Sequence, residues 1–232
     1  MLPPLYPSDS KELEIRNLGI VSYDKALDIQ ADLIVRRRSG EVPDQLILLE
    51  HPHVITMGTG SNVDHVLADQ ERRAQLGIEL YETSRGGDVT YHGPGQLVVY
   101  PIFDLDNFFT DIHKYLRFLE DVVIGVLKCY GLIGERLEGA TGVWLGVKSG
   151  GPRKICAMGV RASRWVTMHG LAFNVSVNLD RFNGIVPCGI MDKSVTSLEV
   201  ELKKAVILND VSLVFQKKFK EVFQIELLDA TF

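Results

Sequence analysis

The segment from Arg85 to Gln96, R-G-G-D-V-T-Y-H-G-P-G-Q, has the composition of a loop that binds a ligand. Its four glycines let the backbone adopt positive φ values and approach a ligand closely, while Pro94 fixes its own φ and restricts Gly93. Most of the other side chains in the segment are polar. A glycine-rich hairpin without a ligand is the alternative interpretation when the segment is taken by itself.

A cysteine and a lysine outside that segment have the properties that covalent catalysis requires. Cys188 lies between a proline and a glycine, which predicts an accessible loop. Lys154 begins a predicted strand and shares one face with Cys156 and Met158, so its side chain should be partly buried. A thiol with the usual pKa of about 8.5 is mostly protonated at neutral pH and needs a neighbouring cation or base. A partly buried lysine can act as either, and the pair therefore indicates acyl transfer through a thioester.

Two other residues compete for these roles. His169 could replace Lys154 as the partner of the thiol, because cysteine and histidine form the commoner pair in thiol enzymes. Cys156 could be the nucleophile, since it shares a strand face with Lys154. A thiol in the middle of a strand more often packs in a core, which favours Cys188. The sequence alone does not rank Lys154 and His169.

The elements that must position these residues follow from hydrophobic periodicity and turn signals. Predicted strands cover 13–21, 45–49, 54–57, 78–84, 96–102, 142–147, 154–162 and 165–178, and predicted helices cover 22–38, 66–75, 110–130 and 210–223. A helical turn is expected over 179–184, and residues 194–202 could form a strand or start a helix. The glycine segment would then join two strands, where a rigid sheet can present a site. We expect one α/β domain over residues 1–232.

Some expectations concern single side chains. Ser22 should cap the first helix, whose apolar face would comprise Tyr23, Leu27, Ala31 and Ile34. The three arginines at residues 36–38 are expected to form a solvated helix end, with docking of a partner as the alternative. Cys129 is expected to be a small buried residue.

Composition excludes several classes of protein. The net charge of −5 and pI near 5.7 argue against nucleic acid as the main ligand. Three widely spaced cysteines indicate neither a disulfide framework nor a zinc ribbon. His51 and His53 flank a proline and lack a third ligand at a recognisable spacing, so we expect a turn at a strand start and no metal. Without a targeting segment or an apolar run long enough to cross a bilayer, we expect a cytoplasmic protein with no membrane partner.

Four motifs taken together resemble those of the lipoyl(octanoyl) transferases, the octanoyl-[acyl carrier protein]:protein N-octanoyltransferases of lipoate synthesis. In order, the motifs are R-G-G-D-V-T-Y-H-G-P-G-Q, G-V-W with K-I-C-A-M-G-V-R, R-W-V-T-M-H-G-L-A-F-N-V, and P-C-G-I. The resemblance as a whole extends from about residue 50 to 200. One departure is Cys156, which stands where a small residue such as alanine is expected. The resemblance implies a mixed β-sheet flanked by helices, similar to the catalytic domain of biotin and lipoate protein ligases.

The resemblance also implies roles for individual residues. Cys188 would become an octanoyl thioester, and Lys154 would tune its thiol and move protons, with His169 in a possible supporting role. The acyl site would be lined by Arg85, Gly86, Gly87, Asp88, Val89, Thr90, Tyr91 and His92, by Ala157, Met158 and Gly159, and by Gly170, Leu171 and Ala172.

The implied partners are two proteins. Octanoyl-acyl carrier protein would donate the acyl group, and the acceptors would be lipoyl domains of 2-oxoacid dehydrogenase complexes or the glycine cleavage H protein. No cofactor is expected, because the acyl group arrives on the phosphopantetheine of the carrier. Both partners would be acidic, so a basic patch including Arg161 or Arg164 is predicted to receive one of them. The alternatives are an ATP-dependent lipoate or biotin protein ligase and a silent binding module.

Overall fold

Helices and strands both occur along the chain in the computed structural model, which describes residues 12–186 and 194–227. The helices are α1 Tyr23–Arg38, α2 Gln70–Leu76, α3 Ile112–Cys129, α4 Leu198–Leu202 and α5 Leu208–Phe223. The strands are β1 Glu12–Ile20, β2 Asp44–Glu50, β3 Val54–Met57, β4 Glu79–Glu82, β5 Val89–His92, β6 Gln96–Ile102, β7 Glu135–Leu137, β8 Ala140–Leu145, β9 Arg153–Ser163, β10 Val166–Asn174, β11 Ser194–Val195 and β12 Glu226–Leu227. Short 3-10 helices cover Val63–His65, Leu105–Asn107 and Leu179–Gly184.

The main sheet is mixed, as predicted. Within the described residues it runs in the order β12-β1-β2-β6-β10-β9-β8-β7, and β11 adds a parallel contact to β9. The pairs β12–β1 and β1–β2 are parallel, whereas the strands from β2 across to β7 pair in antiparallel fashion. A second, three-stranded sheet has the order β4-β3-β5.

Helices cover both faces of the main sheet, and β2 shows why. Leu46 and Leu48 pack in the core that holds α3 and α5, whereas Ile47 and Leu49 pack against α1 on the other face. Successive side chains of a strand point to opposite faces, so a strand with four consecutive apolar residues, as in β2, must be covered on both faces. The predicted fold of a mixed sheet flanked by helices is therefore confirmed.

The buried face of α1 differs from the predicted one. It comprises Tyr23, Ala26, Gln30, Leu33 and Arg37, while Ala31 is exposed. Gln30 is tolerated there because its Oε1 accepts a hydrogen bond of 2.7 Å from the His169 backbone N–H. The prediction took only apolar side chains as buried, and so it missed Gln30 and Arg37, whose polar groups bond to His169 and Asp44.

The basic end of α1 is likewise not simply solvated. Arg37 is 2% exposed, and its Nε donates to Asp44 Oδ1 over 2.7 Å. Arg38 instead donates to the Ser163 carbonyl in the turn between β9 and β10. The prediction of a solvated helix end was therefore wrong for Arg37, which joins the helix to the start of β2.

Three smaller expectations also fail. Cys129 is exposed rather than buried. The Ser22 hydroxyl contacts Asp24 and makes no capping bond to the helix backbone. The glycine segment is not entirely a loop, because its residues Val89–His92 form β5 and pair with β3.

No helix in the described part of the chain is both long enough and apolar enough to span a membrane.

Candidate active site

The glycine segment, β9 and β10 enclose a cavity of about 380 Å³. Most of the residues that the sequence placed at the acyl site line it: Arg85, Gly87, Asp88, Val89, Thr90, His92, Lys154, Ala157, Met158, Gly159, His169, Gly170, Leu171 and Ala172. These residues come from three separate stretches of sequence. The fold therefore brings into one cavity the residues of three different motifs.

Two residues of the predicted set lie elsewhere. Tyr91 is not among the cavity-lining residues; its hydroxyl lies 2.6 Å from His53 Nδ1, and its ring packs edge-on against Phe182. Because side chains alternate along β5, Tyr91 faces the opposite side from Thr90 and His92. Gly86 contributes backbone contacts behind the cavity wall.

Close backbone packing forms that wall. The Gly86 N–H donates to the Val160 carbonyl over 3.0 Å, and a Cβ on Gly159 would lie 2.5 Å from the Gly86 carbonyl oxygen. A Cβ on Gly170 would lie 2.1 Å from the Val99 carbonyl oxygen. Any larger residue at 159 or 170 would push the strands or the glycine segment apart.

Arg85 organises the glycine segment from inside. Its Nη2 donates to the carbonyls of Thr56 and Asp88, each over 2.7 Å, and to Thr56 Oγ1 over 2.9 Å. These bonds tie the segment to β3 and fix its curvature. The planar guanidinium, with several donors in fixed directions, suits this arrangement better than a lysine would.

Lys154 is the ionisable side chain that β9 contributes to the cavity wall. It is 6% exposed, and its Nζ lies 4.6 Å from the centroid of the Trp144 ring. Trp144 is directly opposite on β8, where a register shift follows Val143. An aromatic face attracts a cation, so the Trp144 ring helps to hold the Lys154 side chain in place.

Cys156 does not share the cavity with Lys154. A bulge at the β8–β9 pairing interrupts the alternation that predicted a common face, and Cys156 has no exposed surface and lies in the hydrophobic core. Burial raises the pKa of its thiol far above the usual range. A protonated thiol without access to the cavity is a poor nucleophile.

Cys188, the preferred nucleophile, lies outside the described residues, but the chain on both sides of it is anchored near the cavity. Before it, the Val186 N–H donates to the His65 carbonyl over 2.8 Å. After it, β11 pairs with β9, and the Thr196 N–H donates to the Lys154 carbonyl over 2.9 Å.

Three buried histidines near the cavity are held neutral. Burial lowers the pKa of His51 to about 4, that of His92 to about 3 and that of His169 to about 4. His51 donates from Nδ1 to the Val21 carbonyl and accepts at Nε2 from the Tyr100 hydroxyl, each over 2.7 Å. The ring of His51 is fully engaged, so the His51–His53 pair is a structural feature of the strand start.

His92 begins a chain of polar contacts behind the cavity. Its Nδ1 donates to Gln96 Oε1 over 2.7 Å, and Gln96 Nε2 donates to Asn174 Oδ1 over 2.9 Å. Asn174 Nδ2 then donates to the Thr196 carbonyl over 2.9 Å. These hydrogen bonds thus connect the glycine segment to Thr196, which follows residues 187–193.

His169 occupies a strained position on the cavity wall. Its φ is 57°, in the left-handed region that a non-glycine residue rarely adopts, and its Nε2 lies 3.4 Å from Ser84 Oγ. Its buried Nδ1 has no hydrogen-bond partner within residues 12–186 and 194–227. Because its imidazole is neutral near pH 7, it does not supply the cation that a thiolate would need.

Sequence reasoning missed several residues at the cavity. They are Tyr23, Gly60, Tyr100, Gly139, Ala140 and Thr141. The last three directly precede the G-V-W motif and could have been included by extending it. The two tyrosines come from α1 and β6, and no local pattern marks them.

No group of three or more His, Cys, Asp or Glu side chains in the described part of the chain is arranged to hold a metal ion.

Comparison with known proteins shows the family of the chain. Residues 22–220 match the family model of the lipoyl protein ligase A/B catalytic domain. The chain is 51% identical to the octanoyltransferase of Christiangramia forsetii, over 94% of this chain and 98% of that one. It is 48% identical to the octanoyltransferase of Chloroflexus aurantiacus, over 93% of this chain and 96% of that one.

Solved structures show the same fold at low sequence identity. A bi-partite lipoate protein ligase from Thermoplasma acidophilum aligns with a TM-score of 0.72 at 17% identity, covering 96% of this chain and 87% of its own. Lipoate-protein ligase A bound with ATP aligns with a TM-score of 0.72 at 17% identity, covering 94% and 90%. These likenesses concern the fold, whereas the much closer sequence relatives carry the transferase name. The chain therefore belongs to the octanoyltransferase family, within the lipoyl protein ligase A/B catalytic domains.

Proposed function

We propose that this protein transfers an octanoyl group from octanoyl-acyl carrier protein to a lysine of a lipoyl domain through a thioester on Cys188. The observation that carries the proposal is the cavity, in which Lys154 and three backbone segments meet beside the anchored ends of the Cys188 segment. Family membership over nearly the whole chain supports the same chemistry.

The reaction has two half-reactions. The Cys188 thiolate attacks the octanoyl thioester carbonyl, the bond to the phosphopantetheine sulfur breaks, and the carrier leaves as a thiolate that takes up a proton from solvent. The lysine amine of the acceptor then attacks the acyl-enzyme, loses a proton, and displaces the Cys188 thiolate as the amide forms. One thioester replaces another in the first step, so no nucleotide is required.

Lys154 is suited to both half-reactions. As ammonium it stabilises the thiolate, and as amine it accepts the proton that the attacking lysine loses. Phe182 and Val195, from the two sides of residues 187–193, border a small space together with Lys154. This arrangement supports placing Cys188 within reach of Lys154.

The cavity also suits an acyl chain. Met158, Leu171 and Ala172 contribute apolar surface to it. Burial of each methylene contributes about 0.8 kcal/mol, so an octanoyl tail gains several kcal/mol of binding. Discrimination between chains that differ by one methylene is only about 1–3 kcal/mol.

The decisive experiment is intact-protein mass spectrometry after incubation with octanoyl-acyl carrier protein. We expect a mass increase of one octanoyl group that hydroxylamine removes. The adduct should persist in Cys156→Ser and be absent in Cys188→Ser. The reverse pattern would show that Cys156 is the nucleophile.

The same assay separates the transferase from an ATP-dependent ligase. A transferase forms the octanoyl-lysine amide from the carrier thioester without nucleotide. A ligase instead requires ATP and the free acid. Amide formation that depends on ATP would contradict the proposal.

A further inference from the structure

We infer that His65 and Asp88 form a positioning pair. The pair holds the backbone of residues 184–186, which leads to residue 187, in a fixed position relative to the cavity wall. The inference rests on the proposed function for its catalytic consequence, although its structural part can be tested without any substrate. The effect of the pair would pass through the backbone of residues 184–186.

The first link is a side-chain hydrogen bond. His65 Nδ1 lies 2.6 Å from Asp88 Oδ2, and the two side chains are 28% and 14% exposed. A carboxylate can only accept, so Nδ1 donates. Such a charge-assisted hydrogen bond, largely shielded from water, is stronger than an ordinary surface ion pair.

The second link is backbone pairing from the same residue. The His65 carbonyl accepts from the Val186 N–H over 2.8 Å, and Val66 forms an antiparallel bridge with Ile185. The N–H groups of Leu67 and Ala68 both donate to the Gly184 carbonyl, over 2.9 Å and 3.0 Å. Residues 184–186 are therefore held by residues 65–68.

The third link joins Asp88 to the cavity. Asp88 lies in the glycine segment and lines the cavity, and its carbonyl accepts from Arg85 Nη2 over 2.7 Å. The 3-10 helix that carries His65 has three residues and follows the turn after β3. The Asp88 side chain restrains this short element directly, so it sets the position of residues 184–186 relative to the cavity.

To hold residues 184–186 in position, the hydrogen bond between the side chains at positions 65 and 88 is required, and a charge on either side chain is not. An asparagine at position 65 places an amide N–H near the position of the imidazole Nδ1–H. An asparagine at position 88 keeps a side-chain oxygen that can accept. Alanine at either position removes the bond, and removal of both partners should do little more damage than removal of one.

The structural test is amide hydrogen exchange of the substrate-free protein, followed by NMR. We expect His65→Ala and Asp88→Ala to increase the exchange rate of the Val186 amide by about tenfold or more, because a hydrogen bond to a charged group is lost. His65→Asn and Asp88→Asn should remain within about threefold of the unmodified protein on the same argument. The matched control is His113→Ala, which changes an exposed histidine on α3.

The amides of Leu171 and Ala172 in β10 report on global stability, since β10 pairs with strands on both sides. They should keep their protection in all variants. Unchanged exchange at Val186 in both alanine variants would overturn the inference. Equal acceleration at Val186 and in β10 would also overturn it, because the pair would then stabilise the whole fold.

The functional test measures the rate of octanoyl adduct formation. The alanine variants should form the adduct at least about tenfold more slowly, since small displacements of a reacting group are costly, and the double alanine variant should match the single ones. His65→Asn, which keeps a donor toward Asp88 and does not line the cavity, should retain the rate. Absence of an adduct in the unmodified protein would count against the proposed function, whereas the exchange results at Val186 would still decide the role of the pair.

Discussion

At the scale of single residues, the site depends on ionisable groups whose surroundings set their protonation. The Cys156 thiol is kept protonated by burial, and the histidines at 51, 92 and 169 are kept neutral by it. Lys154 differs in its surroundings, because its Nζ lies over the face of an aromatic ring. This contrast favours Lys154 over His169 as the partner of a thiolate, a choice that the sequence had left open.

The two proposed roles of Lys154 can be separated by Lys154→Arg. A guanidinium still stabilises a thiolate but does not accept a proton at neutral pH. We expect the octanoyl thioester to form and accumulate, while transfer to the lipoyl domain slows by a factor on the order of 100 or more, the size of a typical general-base contribution. Single-turnover mass spectrometry of enzyme and acceptor measures both steps.

The control is Lys148→Arg, at an exposed lysine in the turn between β8 and β9. It should leave both steps unchanged. If Lys154→Arg slowed thioester formation and transfer equally, Lys154 would not act as the base of the second step.

At the scale of elements, periodicity was enough to locate most helices and strands, whereas the buried face of one helix depended on polar contacts with other elements. The ranges of β3, α3 and α5 were close to those observed, because apolar spacing defines their buried faces. The predicted buried face of α1 was wrong because Gln30 accepts a hydrogen bond from β10 and Arg37 donates one to β2. No local pattern contains that information.

The candidate site was predictable to a similar degree. The motifs contained most of the cavity-lining residues, since each motif is a strand or turn with its own glycine or charge signal. The orientation of Tyr91 could not be predicted while β5 was taken as a loop. Tyr23 and Tyr100 reach the cavity only because α1 and β6 pack beside it.

The three buried histidines bond to residues of other elements, and their lowered pKa values should make the stability of the fold depend on pH. Their pKa values in the folded protein are about 4, 3 and 4, below the ordinary value of 6.5. Below pH 6.5 the unfolded chain takes up protons at these residues and the folded protein does not. The stabilisation is therefore complete above pH 6.5 and is lost as the pH falls toward 4, by about 1.4 kcal/mol per pH unit for each histidine.

Urea unfolding at pH 7, 6 and 5 measures this effect. The free energy of unfolding should fall more steeply with decreasing pH in the unmodified protein than in His51→Asn, which retains a donor toward the Val21 carbonyl and removes one titrating group. His113→Ala, at an exposed position, should follow the unmodified protein. Identical pH slopes in the unmodified protein and His51→Asn would show that His51 is not held neutral.

At the scale of the whole molecule, the negative net charge must be reconciled with the acidic partners that the proposed reaction requires. Arg161 and Arg164 are exposed on the hairpin of β9 and β10, and Arg38 from α1 is tied to the same turn by its bond to the Ser163 carbonyl. Arg161 also lies close enough to His169 on the cavity wall to contribute to lowering the pKa of that residue. The basic surface of these three arginines therefore extends from the cavity to the hairpin turn.

We expect this surface to receive the carrier protein. Reversing both charges with Arg161→Glu and Arg164→Glu should weaken carrier binding by about tenfold or more at low salt and flatten the dependence of affinity on ionic strength, because opposite charges steer association and salt screens them. Calorimetric titration at several salt concentrations measures both quantities. The matched control reverses Arg72 and Lys204, two exposed cations on other parts of the molecule. If the control weakens binding as much as the Arg161 and Arg164 variant does, net charge rather than this surface governs the encounter, and the docking site must lie elsewhere.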